Sequence, residues 1–469
     1  MPVFDKLFAH IGRSKDKYIS RLAEAVAIPS VSGEPARRSE VTRMGEWLAT
    51  QLTALGATDV QLKPLGDQEP GLPLPPIVVG RVGTSPAKKT VLIYGHYDVQ
   101  PALVEDGWDS EPFKLTQKGD ALYGRGSTDD KGPVMGWLNV LEAHKDLGLE
   151  IPVNLVFCFE GMEESGSEGL DELIKREAQE YFKGVDAVCI SDNYWLGTKH
   201  PVVTYGVRGV SYYEVSVRGP AADLHSGLFG GVVYEPLIDL SHIFSKLVTP
   251  QGEILIPGIK EMVAPLTKSE DALYDDIHFN LSELEANTGA QDVIQDSVKG
   301  ALQARWRYPS LSLHGIEGAF YEKGAKTVIP AKVSGKFSIR TVPNIEPRKL
   351  DECVFKYVKD VFASLNSKNE LDVALVHDGD YWVADPEGWS YTAAAKATKA
   401  VWGVEPDFTR EGGSIPITLS FQENLKSSVV LLPMGRGDDG AHSTNEKINV
   451  PNYIEGTKTL AAYLHYLAE

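Results

Sequence analysis

The sequence predicts an α/β fold: a mainly parallel, buried central sheet flanked by helices, interrupted by an inserted α+β domain. Three observations predict it. Short, continuously apolar runs occur at IVVGRV (77–82), TVLIYG (90–95), VNLVFCF (153–159) and DAVCIS (186–191), with helical patterns near Gly132–Leu147 and Glu168–Phe182 between them. Strands that are apolar on both sides belong in a sheet covered on both faces. From about Tyr205 the pattern changes, and GVSYYEVSVRG and AKVSGKFSIRT alternate apolar with polar residues, as half-exposed strands do. After Asp380 the first style returns in GGSIPITLS and SSVVLLP. The expected division is 1–205 and 379–469 for the two segments of one domain, with 206–378 inserted between them.

Each element has a local reason. Phe4, Leu7, Phe8, Ile11, Tyr18, Ile19, Leu22, Ala25 and Val26 follow helical spacing, and Ile28-Pro29-Ser30 ends the run. A second helix is expected near Thr42–Leu55, stopped by Gly56. The inserted segment carries helical patterns near Glu235–Leu247 and Pro347–Leu365. The last segment has a helix at 389–402 and another from Pro451 to Leu467. The Pro-rich stretch Pro70–Pro76 is a loop, and no repeat or low-complexity tract is seen.

Composition excludes some classes of function. The 469 residues include 46 Lys+Arg against 65 Asp+Glu, a net charge of −19. That balance argues against nucleic-acid binding, which needs clustered cations to neutralise phosphates. No run approaches the ~18 apolar residues of a membrane span. The N-terminal stretch lacks the apolar core of a secretion signal. Cys158, Cys189 and Cys353 are odd in number and show no C-x-x-C spacing. They read as buried thiols of a reducing compartment, so a cytoplasmic protein is expected.

The chemistry gathers where apolar strands end. VLIYG runs into His96-Tyr97-Asp98, LVFCFEG into Met162-Glu163-Glu164, DAVCIS into Asp192, and VVLLPMGRGDDG into Ala441-His442. The loop LYGRGSTDDKG, with Asp129 and Asp130, precedes a helix. Alone, an H-x-D, an adjacent glutamate pair or an aspartate after a strand is ordinary loop chemistry. In an open α/β sheet, however, strand carboxyl ends converge on one crevice. Imidazoles and carboxylates converging there suit Zn²⁺ or Mn²⁺. GRGSTDDKG is not a phosphate loop, because its spacing is wrong and its paired aspartates would repel phosphate. No G-x-S-x-G nucleophile elbow occurs.

The stretches GHYDVQP (95–101), LYGRGSTDDKGP (122–133), FEGMEESGS (159–167), SDNYW (191–195), DLHSG (223–227), SIRTVPN (338–344), REGGSIP (410–416) and GRGDDGAHSTNEK (435–447) span most of the chain. In these motifs the chain resembles the M20 metallopeptidases, particularly the carnosinase-like cytosolic nonspecific dipeptidases and the fungal Cys-Gly dipeptidases. The resemblance implies a dipeptidase with two divalent ions per subunit, Zn²⁺ or Mn²⁺. His96 and Asp192 would hold one ion, Glu164 and His442 the other, and Asp129 both, with a cis peptide after it. Asp98 would orient His96, and Glu163 would be the general base for a water between the ions. Arg340 would hold the dipeptide carboxylate; Thr327, Gly413 and Ser414 would contact substrate. The inserted domain would form a lid and a homodimer interface, with His225 reaching the partner's site. An aminoacylase or carboxypeptidase of the same type, or a non-enzymatic binding protein on the same fold, are the alternatives.

Overall fold

The computed structural model describes residues 2–290, 292–415 and 417–469. Among the described residues, nine strands form one mixed sheet. Its order is Thr58–Lys63, Ile77–Val82, Asn154–Glu160, Thr90–His96, Ala187–Ile190, Ser428–Leu431, Val202–Val207 and Trp382–Val383, with Asp407–Glu411 also pairing Val202–Val207. The four central strands, from Asn154–Glu160 to Ser428–Leu431, run parallel. Antiparallel neighbours flank them on both sides.

The continuous apolar runs are explained by two cores. Along Thr90–His96, Val91 and Ile93 enter one core with Trp137, Leu138 and Tyr463. Leu92 and Tyr94 enter the opposite core with Leu173, Phe182 and Phe421. Successive strand side chains point to opposite faces, so a strand covered twice has no polar position to spare. Each such buried side chain contributes about 1.5–3 kcal/mol.

A second sheet, four-stranded among the described residues, has the order Ser310–Glu317, Lys332–Thr341, Gly209–Arg218, Glu370–Gly379 and is wholly antiparallel. Tyr213, Val215 and Val217 face helices Pro236–Phe244 and Pro347–Ser364. Burial along Gly209–Arg218 alternates with the sequence pattern. Between these strands, Tyr274, Leu302 and Trp306 pack back against Trp195, Leu196 and Val202 beside the first sheet.

Several details differ from the sequence reading. The first helix is two, Pro2–Arg13 and Lys15–Val26, broken at Ser14 although the apolar spacing continues. Ile77–Val82 runs antiparallel to its neighbours. The segment after Ser414 is helix Ile417–Leu425, not strand; Pro416 lies outside the described residues. The cysteines are free, with Cys158 and Cys189 buried and Cys353 partly exposed. No helix among the described residues is long and apolar enough to cross a membrane.

The C-terminal helix Val450–Leu467 closes the first core, packing on Lys131–Leu147 and Trp389–Trp402. There His144 and His465 stack at 5.5 Å, with Nε2 atoms 3.2 Å apart. Burial and the neighbouring imidazole lower His465 from 6.5 to about 4, and burial lowers His144. The unfolded chain therefore takes up protons first on acidification. The pair's contribution is complete above pH 6.5 and is lost as pH falls towards 4. We expect the unfolding midpoint of the wild type to fall more across this window than that of His465→Gln. Parallel midpoint curves would show that the pair does not titrate with folding.

Candidate metal centre

Because the four central strands are parallel, their carboxyl ends share one edge of the sheet. His96 ends the strand Thr90–His96. Glu163 and Glu164 form the turn after Asn154–Glu160. Asp192 lies two residues beyond Ala187–Ile190. His442 lies in the loop after Ser428–Leu431, in the left-handed region at φ 61°. Asp129 precedes helix Lys131–Leu147, and its peptide bond to Asp130 is cis.

The side chains converge around Asp129. Its Oδ1 lies 3.1 Å from His96 Nε2, and its Oδ2 lies 3.2 Å from His442 Nε2. Asp192 Oδ1 is 3.6 Å from His96 Nε2, and Glu164 Oε2 is 3.0 Å from His442 Nε2. Two groups of donors result: His96, Glu163 and Asp192, and Asp129, Glu164 and His442. One carboxylate thus faces an imidazole from each group.

The electrostatics show a surplus of buried negative charge. Burial, with Asp192 and Glu164 nearby, pushes Glu163 well above the carboxylate range. Burial also raises Asp192 to about 6. Against the effect of burial, the two imidazoles hold Asp129 low. Asp129 and Glu164 raise His442 to about 11. Four carboxylates and two imidazoles, most of them withdrawn from solvent, attract cations, and this donor set fits divalent ions with mixed nitrogen and oxygen ligands.

The supporting residues explain how the cluster is held. Asp98 was expected to orient His96, and its Oδ1 is 3.4 Å from His96 Nδ1. The nearer contact, at 3.1 Å, is with the Asp98 main-chain oxygen. The Asp98 carboxylate accepts from the backbone N–H groups of Glu163 and Glu164 at 3.2 and 3.1 Å. It therefore ties two strand ends together. Asp130 Oδ2 accepts from the His96 N–H at 3.1 Å. That approach needs Gly95, since a Cβ there would lie 2.7 Å from Asp130 Oδ2.

Sequence reasoning missed Glu446. Its fully buried carboxylate accepts from the N–H groups of Gly126, Thr128 and Asp129 at 3.0, 3.0 and 3.1 Å, and from Arg125 Nη1 at 2.8 Å. It fixes the backbone that presents Asp129. Its only signal was its place in GRGDDGAHSTNEK, four residues after His442. Lys131 was also missed. It is buried and lowered by burial to about 7, and its Nζ donates to the main-chain oxygens of Ala25 and Ile28 at 3.0 and 2.7 Å.

The remaining candidates lie in two places. Arg340 Nη1 donates to Ser414 Oγ at 2.7 Å, and Ser414 Oγ donates to the Arg208 main-chain oxygen at 2.6 Å. Gly413 O accepts from Arg208 N–H at 3.1 Å. Among the described residues no carboxylate forms an ion pair with Arg340, although burial lowers its guanidinium. His225 pairs in register with Val328, and Ser226 N–H donates to Thr327 O at 3.2 Å. The His225 ring is exposed, and its Nδ1 accepts from Gly227 N–H at 3.0 Å. Among the described residues it makes no hydrogen bond to the carboxylate–imidazole cluster.

The family model of peptidase family M20/M25/M40 matches residues 92–466. The chain belongs to this family. It is 62% identical over 467 residues to the Cys-Gly metallodipeptidase DUG1 of Candida albicans, covering 98% of this chain and 96% of that one. It matches the structure of the di-peptidase Dug1p of Saccharomyces cerevisiae with a TM-score of 0.95 at 58% identity, over 99% of this chain and 98% of that one. Human carnosine dipeptidase 1 matches with a TM-score of 0.94 at 45% identity, over 99% of each chain. This M20 enzyme is a metal-dependent dipeptidase.

Glu446→Gln removes two of the four acceptor positions that hold the Asp129 loop. We expect metal content after gel filtration and dipeptide turnover to fall together, by about 10–100-fold in affinity or activity, as for other groups that orient ligands. Unchanged metal content and turnover would show that the Asp129 loop holds its shape without Glu446.

Proposed function

We propose that the enzyme hydrolyses free dipeptides, Cys-Gly among them, at a centre of two Zn²⁺ or Mn²⁺ ions. The observation that carries this reading is Asp129, whose two carboxylate oxygens each face a different imidazole. His96, Asp192 and Asp129 would hold one ion; Glu164, His442 and Asp129 the other. When bound, the ions supply Lewis acidity that polarises the peptide carbonyl and acidifies water. The preference for Cys-Gly rests on the higher identity to fungal enzymes of that name than to human carnosine dipeptidase 1.

The chain's own residues carry the proton. Glu163 takes it from the attacking water and returns it to the leaving amine. The raised affinity of Glu163 for a proton supports that role. Asp98 holds the backbone of Glu163 and so aims it. Arg340, without a carboxylate partner among the described residues, receives the substrate's terminal carboxylate as a fork. Ser414 fixes that guanidinium and Gly413 borders the substrate, while Thr327, beside His225, would border the substrate in the partner's site. An added Cβ at Gly413 would meet the chain only at 3.9 Å, so its close backbone approach is left for substrate.

We assign 206–378 as a lid and dimerisation domain, with 1–205 and 379–469 as the catalytic domain. His225 would stabilise the oxyanion in the partner's site. The Gly227 N–H bond at Nδ1 leaves the neutral ring's proton on Nε2, as an oxyanion donor needs. Beside it Leu228, Val232, Tyr234 and Ile238 are exposed at 71, 76, 48 and 52%, an apolar stripe suited to a second copy.

Glu163→Gln should retain both metals, because His96, Asp192 and Asp129 would hold the first ion without it and Glu164 belongs to the second, yet lose about 10²–10⁴-fold in dipeptide turnover. Elemental analysis beside a turnover assay checks this, and normal turnover would remove Glu163 as the base.

Sharing of sites predicts complementation. Homodimers of His225→Ala and of Glu163→Ala should each be nearly inactive. After subunit exchange, each heterodimer has both lesions in one site and an intact second site. Half of a random mixture is heterodimer, so about a quarter of wild-type activity should return. Absence of recovery with exchange demonstrated would place His225 outside the partner's chemistry.

A further inference from the structure

We infer that His200, His278 and Asp407 form a peripheral site for one divalent transition-metal ion of the zinc class, separate from the catalytic centre. One ligand atom from each of the three lies within 4.8 Å of the others. His278 Nδ1 is 2.9 Å and His200 Nε2 3.4 Å from the same oxygen, Asp407 Oδ1. The two rings stack at 4.0 Å with their planes 15° apart, so both present nitrogen to one carboxylate. Asp407 Oδ2 accepts from the His278 backbone N–H at 2.7 Å. That contact fixes the carboxylate's orientation and turns Oδ1 toward the two rings, as outer partners do in metal sites.

Two imidazoles and a carboxylate are a donor set that zinc takes with water in the fourth position. Hydrogen bonds already hold the two rings at this loop: His278 Nδ1 donates to Asp407 Oδ1 at 2.9 Å, and His200 Nε2 donates to the Glu405 main-chain oxygen at 3.0 Å. An ion would replace both bonds, each ring presenting that nitrogen unprotonated to the metal beside Oδ1. Beside Asp407, Asp276 and Glu387 line a cavity of about 520 Å³ together with apolar residues such as Leu273, Ile277 and Phe408. The Asp407 side chain is only 9% exposed, whereas His278 is 65% exposed and can admit an ion.

The ligands come from three distant chain segments. His200 ends the loop that begins at Asp192, His278 lies in the connection between helices Lys268–Ala272 and Leu281–Thr288, between Ile277 and Phe279 that pack on the Trp195 and Leu196 cluster, and Asp407 begins an edge strand. An ion here staples that segment to the first sheet, and it stabilises the fold by mass action without entering the reaction.

The test uses the enzyme with its catalytic centre already loaded with Zn²⁺, titrated with further Zn²⁺ against a competing zinc indicator. Wild type should take one further equivalent per chain, and added Zn²⁺ should raise its unfolding midpoint. His278→Ala should keep wild-type dipeptidase activity, because His278 is exposed. It should bind the extra equivalent about tenfold or more weakly. His278→Cys, which restores a zinc donor, should recover binding. No further equivalent in wild type, or an extra equivalent bound equally by His278→Ala, would overturn the site.

Discussion

The centre depends on one carboxylate shared between two imidazoles. Asp129 can face both His96 and His442 only if its backbone is held rigidly, because a tilt would favour one ring over the other. Glu446 provides that rigidity through three backbone N–H groups and Arg125. A fully buried carboxylate is costly unless its lone pairs are used, and here four donors use them. Glu446 and His442 come from the last segment of the chain, and Asp129 and His96 from the first. The catalytic arrangement therefore cannot form until the chain has returned from the second sheet.

The parallel sheet makes this convergence possible. Four strands running one way place four loops at one edge, and Asp98, Asp130 and Glu446 lace those loops together through main-chain N–H groups. These three acids bind amides, while Asp129, Glu163, Glu164 and Asp192 are left facing the imidazoles. Residue type does not separate the two sets; the direction of each carboxylate does. Both oxygens of Asp98 and of Glu446, and one oxygen of Asp130, are occupied by donors, and the facing set has a surplus of negative charge that attracts cations.

That distinction marks where the sequence stops being readable. His96, Asp129, Glu164, Asp192 and His442 were legible because each follows an apolar strand or opens a helix in a quoted motif. Glu446 was not, since its role exists only through a loop more than 300 residues away. The antiparallel direction of Ile77–Val82 was hidden for a similar reason: a strand buried on both faces looks the same whichever way its neighbour runs. Ser14 interrupts a helix whose apolar spacing continues through it. His200, His278 and Asp407 share no motif, and only the packing of Trp195 against Leu302 and Trp306 brings their segments together.

The two-sheet arrangement also bears on substrate length. The clustered carboxylates and imidazoles are fixed to the first sheet, whereas Arg340 lies on Lys332–Thr341 in the second and is tied through Ser414 back to the first. Under the proposed roles, the span from this cationic fork to Glu163 measures the distance from the scissile bond to the terminal carboxylate. A dipeptide has one residue in that span. A longer peptide would have to leave its carboxylate away from the fork or move its scissile bond away from Glu163. Either way it gives up a charge-assisted contact or the aligned proton transfer. Under the proposed roles, selectivity for dipeptides follows from holding one arginine without a carboxylate partner among the described residues, on a different sheet from the base.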